Sequence, residues 1–503
     1  MSHNKQLKVG ALLSYLSIAV NIAAGLIYTP WMVRMIGKGD YGLYTLANSL
    51  ITLFLVDFGL SSATARYLSK YRAEGRQDKI DNFLGVIYKL YLLIDAVILT
   101  VLIVVFFLID RIYIKLTPLE LEKFKVVYLI AASFAVVNFP FVTFNGILNS
   151  YEKFIPLKLS DLIYRVLLVS MTVAALLLGQ GLYALVAIHA VVGLILIVYK
   201  LAVIRKTIPL KINWSYSEKG LYRDIFGFSI WVTVASLAQR LIFNITPSVL
   251  GITVGSGAIA VFGIVATIEG YTFTITTAIN GMFMPKISRI YESKQEKNAL
   301  MPLLLGVGKF QYCINGLIFA GFAVVGKSFI RLWMDSSYLD AYYGILLVVL
   351  PGLFFNALQI ANTAMVVQNK VKLQAGINVA MGLVNILLAP ILSHYIGVIG
   401  ACASIFIAYI LRVVLLIWVN KRVMGFDMKL FIRKCYIASS PPIIVTIAVG
   451  LLLNQFWKDG GWLTLGVKAL FVTLIYGITA LLFVLNKGEK ALLLRPFRRF
   501  KPH

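Results

Sequence analysis

The group in this sequence best equipped for chemistry is a guanidinium inside a long hydrophobic run. Arg240 lies in the stretch Phe228–Pro247 with Ser229, Thr233, Ser236 and Asn244, at spacings of four, three, four and four. On an α-helix those five residues make one continuous polar stripe. An arginine at bilayer depth costs about 2.5–3.5 kcal/mol even on mild insertion scales, so it calls for a wet cavity or an acidic partner. A stripe that extends above and below the charge favours a cavity, because an ion pair alone needs no hydroxyls or amide beside it.

Other polar groups in apolar runs fall into two sets. The cations are Lys89, Arg165 and Lys309, which join Arg240 as candidate substrate-binding residues together with Asn21, Asn48, Ser236 and Asn244. Asp161 precedes Arg165 by four, the favourable order for a local pair. Lys309, Arg412 and Lys468 lie towards the ends of apolar runs, where long cations snorkel to water. Glu269 shares a helical face with Thr272 and Thr276, and Asp57 follows Asn48 and Thr52. With Asp161 they are the candidate coupling or counter-ion groups. Asn21 belongs to another stripe, Ser14, Ser17, Asn21, Gly25 and Tyr28. Small polar residues also glue helices together at about 0.6 kcal/mol each, but four stripes in related positions favour a shared cavity. His189 and His394 are isolated and read as packing residues.

Catalysis has no footing. Gly321 to Ser328 satisfies the phosphate-loop pattern, but it ends an apolar run with no strand before it. No Ser/His/Asp or HExxH arrangement is present, so an enzyme is not expected, nor a cofactor or metal. Cys313, Cys402 and Cys435 lack metal-ligand spacing and suggest no disulfide framework.

The elements that position these residues follow from composition. The 503 residues are 60% hydrophobic and 14% charged, with mean hydropathy +0.87. That is an all-α polytopic membrane protein. Fourteen spans are expected, near 9–33, 42–65, 83–109, 124–148, 155–178, 182–203, 225–250, 258–285, 303–326, 341–367, 373–394, 398–419, 431–453 and 462–485. The start MSHNKQLKVG runs into the first span without a small-residue cleavage site, so no cleaved leader is expected. The net charge of +26 sits in loops between spans, which argues against nucleic acid and for the positive-inside bias. Arg66–Lys79, Lys200–Arg223, Lys421–Lys434 and the tail Lys487–Lys501 then face the cytoplasm, as do both termini.

The chain also echoes itself at an offset of about 217 residues. Pro30 is matched by Pro247, Arg66-Tyr-Leu-Ser69-Lys70-Tyr71 by Lys286-Ile-Ser288-Arg289-Ile-Tyr291, and Gly181-Leu-Tyr-Ala184 by Gly397-Val-Ile-Gly400. Two pseudo-symmetric six-helix lobes are expected, residues 1–210 and 211–425, followed by two further helices and a basic tail over 426–503. A central cavity opened alternately to each side is the natural working motion of such a pair.

Four stretches carry a family resemblance: Tyr28-Thr-Pro30; Gly37-Lys-Gly-Asp40-Tyr41-Gly42-Leu-Tyr44; Asp57-Phe-Gly59-Leu with Ala65-Arg66-Tyr67; and Asn145-Gly146-Ile-Leu-Asn149-Ser-Tyr-Glu-Lys153-Phe. The chain resembles the bacterial polysaccharide-unit flippases, the Wzx-type branch of the multidrug/oligosaccharidyl-lipid/polysaccharide (MOP) exporter superfamily. The resemblance implies a plasma-membrane flippase for an undecaprenyl-diphosphate-linked glycan such as an O-antigen or exopolysaccharide unit. Arg240 would hold the diphosphate, assisted by Lys89 and Arg165, and the two extra helices would give the lipid tail a greasy path among membrane lipids. Two other readings stand beside it: a cation-coupled multidrug or small-molecule antiporter of the same fold, and a scaffold recruiting glycosyltransferases or a polysaccharide polymerase through basic loops.

Overall fold

The computed structural model describes residues 3–54, 57–278, 283–292, 300–368, 370–457 and 460–484, with side chains from Ile18 onward apart from a few positions that include Ser229. The expectations resting on the side chains of Ser14, Ser17 and Ser229, on Asn280 and on the tail Lys487–Lys501 lie outside the described residues. The described chain is helical throughout, in the order α1 (His3–Ile36), α2 (Lys38–Phe54), α3 (Leu60–Ala73), α4 (Gln77–Ile112), α5 (Pro118–Asn138), α6 (Thr143–Ser150), α7 (Phe154–Leu177), α8 (Leu182–Thr207), α9 (Lys219–Phe243), α10 (Thr246–Thr253), α11 (Ser256–Thr277), α12 (Met284–Glu292), α13 (Leu300–Trp333), α14 (Asp340–Ala357), α15 (Gln359–Val367), α16 (Val371–Arg422), α17 (Met428–Phe431), α18 (Pro441–Phe456) and α19 (Trp462–Phe483). Two compact units divide the chain, residues 1–263 with 378–401, and 264–377 with 402–503.

Eleven helical segments among the described residues are long and apolar enough to cross a membrane, so this is a multi-pass membrane protein. The difference from fourteen expected spans has local causes. The spans near 373–394 and 398–419 run together as α16, interrupted at Gly397, whose φ of 60° and ψ of −135° break the helical path. The span near 42–65 is interrupted just ahead of α3. Phe58 (φ 51°) and Gly59 (φ 67°) both take left-handed backbone there, which a helix cannot carry through. The span near 225–250 falls on α9 and α10.

Lipid is the outer solvent. Phe107 is 74% exposed and Phe456 85%; in water each would forfeit about 1.5–3 kcal/mol of burial, whereas hydrocarbon takes both without cost. Inside, close backbone approach does the packing. In the first unit, a Cβ added to Gly42 on α2 would fall 2.1 Å from the Ser256 carbonyl oxygen at the start of α11. Nearby, the Lys123 ammonium of α5 sits 2.8 Å from the Asp40 carboxylate at the start of α2. The start of α5 is itself fixed by a capping box, in which Thr117 and Glu120 satisfy each other's backbone amides, and Pro118 supplies the preset φ of a first turn. The second unit is built around buried Leu358, Ala361, Met365, Phe431, Ile443 and Tyr476.

Candidate functional site

The break ahead of α3 is the first feature of the site. A helix beginning after a break starts with orphan amides. Side chains meet both the last described turn of α2 and the first turn of α3. Arg240, projecting from α9, donates Nη1 to the Thr52 carbonyl in the last turn of α2. A cation there also meets the negative end of the helix dipole. At the start of α3 the Asp57 carboxylate accepts from the Ser61 amide, at 3.2 and 3.3 Å to its two oxygens. The Tyr91 hydroxyl of α4 donates to the same carboxylate at 3.0 Å. Asp57 is near enough to attract the guanidinium, but among the described residues no carboxylate lies within 4 Å of it. Arg240 is half-buried, with most of its five N–H donors uncommitted. Ser236, one turn back, is exposed, and Asn244 closes the helix with its amide 3.0 Å from the Arg240 carbonyl.

A second cluster sits on the same helix α2, one and two turns earlier. Tyr44 donates to or accepts from Nε2 of His189 (α8) at 2.6 Å, and the Tyr164 hydroxyl (α7) lies 3.0 Å from Nδ1 of the same ring. Asn48 stands beside the Tyr44 hydroxyl, and Tyr28 of α1 faces Thr172 and Arg165. Arg165 reaches the Asn21 carbonyl through Nη2 at 3.3 Å, while its buried Nε has no partner. The expected pair with Asp161 does not form: that carboxylate is exposed and sits 3.4 Å from Lys158 instead. An unpaired guanidinium among three phenols and two asparagines holds more donors than acceptors, which suits an oxyanion or hydroxyl-bearing ligand. His189, read from sequence as a packing residue, is the hub of this cluster. A lone histidine gives no such signal, because Tyr44 lies 145 residues away in the chain.

The structure therefore brings Arg240 together with Asp57, and Arg165 together with Asn21 and Asn48, all within the first unit. Lys89 belongs to neither group: its ammonium donates to the Tyr216 carbonyl at 3.0 Å, in the segment leading to α9. Lys309 and Glu269 belong to the second unit. Lys309 is half-buried on α13. Glu269 lies on α11 near Arg412, which attracts it from beyond ion-pair distance. The threonines sharing its face are satisfied locally. Thr272 bonds the Ile268 carbonyl at 3.0 Å, and Thr276 bonds the Thr272 carbonyl and the Asn315 side chain.

Two expectations of snorkelling are corrected. Arg412 is 4% exposed, stacked 3.6 Å from the Phe355 ring, with Nε and Nη1 unpartnered. Its helix runs on to Arg422, which keeps the side chain from the end of the span. Lys468 is 5% exposed and donates to Asn454 Oδ1 at 3.2 Å and the Trp457 carbonyl at 2.8 Å. The end of α18 supplies in protein what the interface was expected to supply in water.

Comparison with known proteins places this arrangement. Residues 7–291 match the model of a family described as polysaccharide biosynthesis protein. A putative O-antigen transporter of Shigella flexneri is 23% identical over 403 residues, covering 78% of this chain and 92% of that protein. The uncharacterized membrane protein EpsK of Bacillus subtilis (strain 168) is 24% identical over 497 residues, with 94% of each covered. Among solved structures, the lipid II flippase MurJ in an inward closed conformation superposes with a TM-score of 0.71 at 15% identity, over 98% of this chain and all of that one. An inward-facing multidrug resistance MATE transporter of the MOP superfamily gives 0.69 at 13% identity, over 83% of this chain and 99% of that one. The fold is the one those structures share, and with its family model matching more than half its length the chain belongs to the polysaccharide biosynthesis protein family.

Proposed function

We propose that this protein is a transporter, not an enzyme, and that it moves an undecaprenyl-diphosphate-linked oligosaccharide from the cytoplasmic to the outer leaflet of a bacterial plasma membrane. The observation that carries the reading is the break ahead of α3, where Arg240 has no ion-pair partner among the described residues. Discontinuous membrane helices whose polar ends meet a guest are a recurring transporter device. Arg240 and Arg165 hold the diphosphate by charge-assisted hydrogen bonds, while Asn21, Asn48, Ser236 and Asn244 serve its hydroxyls. The lobes 1–210 and 211–425 rock to expose the headgroup to each side in turn, with both termini cytoplasmic. A membrane potential negative inside favours outward movement of an anion by about 2.3 kcal/mol per charge per 100 mV, so a diphosphate is driven without a dedicated coupling ion.

The test is leaflet assignment of the lipid-linked unit in cells with and without the protein. Accumulation in the inner leaflet on depletion supports the reading, and an unchanged distribution overturns it. The second reading, a cation-coupled small-molecule antiporter, draws on Glu269 as a half-buried acid in the second unit. Drug resistance conferred by expression, with surface glycan unaffected, selects that reading instead.

A further inference from the structure

The first unit has a cavity of about 370 Å³ beside the last turns of α3. Its walls come from four places: the last turns of α3, the start of α4, the segment 208–218 that leads into α9, and the first turns of α9. That segment is pinned along α4. The Asn213 amide bonds the Asp81 carbonyl at 3.1 Å, and its side chain donates to Asn82 Oδ1 at 2.7 Å. Lys89 holds the Tyr216 carbonyl. Gly85 makes the approach possible, because a Cβ there would fall 1.9 Å from the Asn213 carbonyl oxygen. The wall is thus part of the built structure, and Lys89 is one of its fasteners.

The lining is balanced in a way that selects a chemical class. Lys70 and Lys79 face Glu218 and Asp224 across the cavity. Both lysines lean on Glu74, at 4.0 and 3.9 Å, and Glu218 accepts from the Tyr216 hydroxyl at 2.5 Å. With two ammoniums set against two acids, neither a phosphate nor a cation gains net attraction, and the polar rim repels a lipid tail. A neutral polyol needs no net charge, since each hydroxyl both donates and accepts. Tyr67, stacked on Phe83 at 5.2 Å, and Tyr71, with the Lys79 ammonium 5.6 Å from its ring centre, line the cavity, and the ring surface they leave open suits the C–H side of a sugar ring. Position agrees with that choice. Asp224 and Arg240 share α9, and at 1.5 Å per residue about 24 Å of helix separates them. A chain of several sugars bridges that distance from a diphosphate at Arg240, and a single sugar does not.

Resting on the transport reading above, we infer that this cavity is a saccharide subsite holding the distal sugars of the lipid-linked unit before it crosses. It sets a minimum length on the cargo and gives the cytoplasmic end a role in choosing it.

The test uses full-length protein in nanodiscs and tri- to pentasaccharides hydrolysed from the host's surface polysaccharide, carrying neither phosphate nor lipid. Saturation-transfer NMR is expected to show binding to the wild type. Asp224→Asn, at an exposed position, and Tyr71→Ala are each expected to weaken it at least tenfold. Inorganic pyrophosphate is expected to leave the signal in place. Absence of binding to the wild type, binding indifferent to both substitutions, or displacement by pyrophosphate overturns the subsite. The leaflet assay is scored separately. Lipid-linked units that cross normally while free saccharides do not bind defeat the subsite alone. Saccharide binding as described, with leaflet distribution independent of the protein, defeats the transport reading alone.

Discussion

Replacing Arg240 by methionine separates a site from a brace. The guanidinium does two things: it caps the Thr52 carbonyl and, on the transport reading, it places a charge at bilayer depth. Losing a charged hydrogen bond costs about 1.5–3 kcal/mol, and losing the cation at the helix end costs about 0.3–1 kcal/mol more. Against this, removing the charge recovers about 2.5–3.5 kcal/mol of insertion cost. The two nearly cancel, so Arg240→Met is expected to accumulate and melt within about 1 kcal/mol of wild type. Its effect on an anionic passenger is not cancelled by anything. Losing two charge-assisted contacts, discounted because the side chain is half-exposed, removes about 2–3 kcal/mol, or roughly a 30- to 160-fold fall in affinity. Surface-polysaccharide output per molecule of protein should then collapse, and Arg240→Lys, which keeps the charge without the planar fork, should recover part of it. The assay is complementation of a deletion strain with immunoblot normalisation, alongside a thermal melt in detergent. Normal polysaccharide from Arg240→Met at wild-type abundance refutes the reasoning and leaves the arginine as a cap only. A melt lowered by several kcal/mol refutes the cancellation.

Arg165→Ala, which forfeits one protein contact at 3.3 Å, should lower transport at least tenfold with abundance unchanged in the same normalised assay. Asp161→Asn should be silent in both readouts, because its exposed pair with Lys158 is worth at most about 1 kcal/mol. Gly42→Leu forces α2 away from the Ser256 carbonyl and should destabilise by about 1–3 kcal/mol, read as a lower melting temperature. Tyr164→Phe removes one hydroxyl from His189 and should cost about 0.5–1.5 kcal/mol in the same melt. Lys468→Ala unpairs the Asn454 oxygen and should destabilise by about 1–3 kcal/mol while transport per molecule stays normal.

Much of this molecule was legible because the bilayer imposes period and length on the chain. The all-helical class follows from spacing and hydropathy alone. What Arg240 meets was not legible, since a backbone carbonyl carries no residue signature. The break before it was hidden for a related reason: Asp57-Phe58-Gly59 lies in an apolar run, and a phenylalanine in left-handed backbone follows from tertiary packing, not from propensity. Arg165 was assigned a partner by helical periodicity, yet Asp161 turns outward and the guanidinium crosses to α1. Arg412 and Lys468 were misplaced because hydropathy sees only where a run ends. It does not see that α16 extends to Arg422 or that α18 folds its last carbonyls over Lys468.

The break ahead of α3 also bears on how the protein is made. A ribosome delivers residues 38–73 to the membrane well before it polymerises residue 240, so for that interval the Thr52 carbonyl has no guanidinium to meet it. Early chains must wait in the insertion machinery, borrow water at its rim, or hold the segment as an unbroken helix that snaps once α9 docks. Truncations ending short of residue 240 are therefore the forms that membrane proteases should clear fastest.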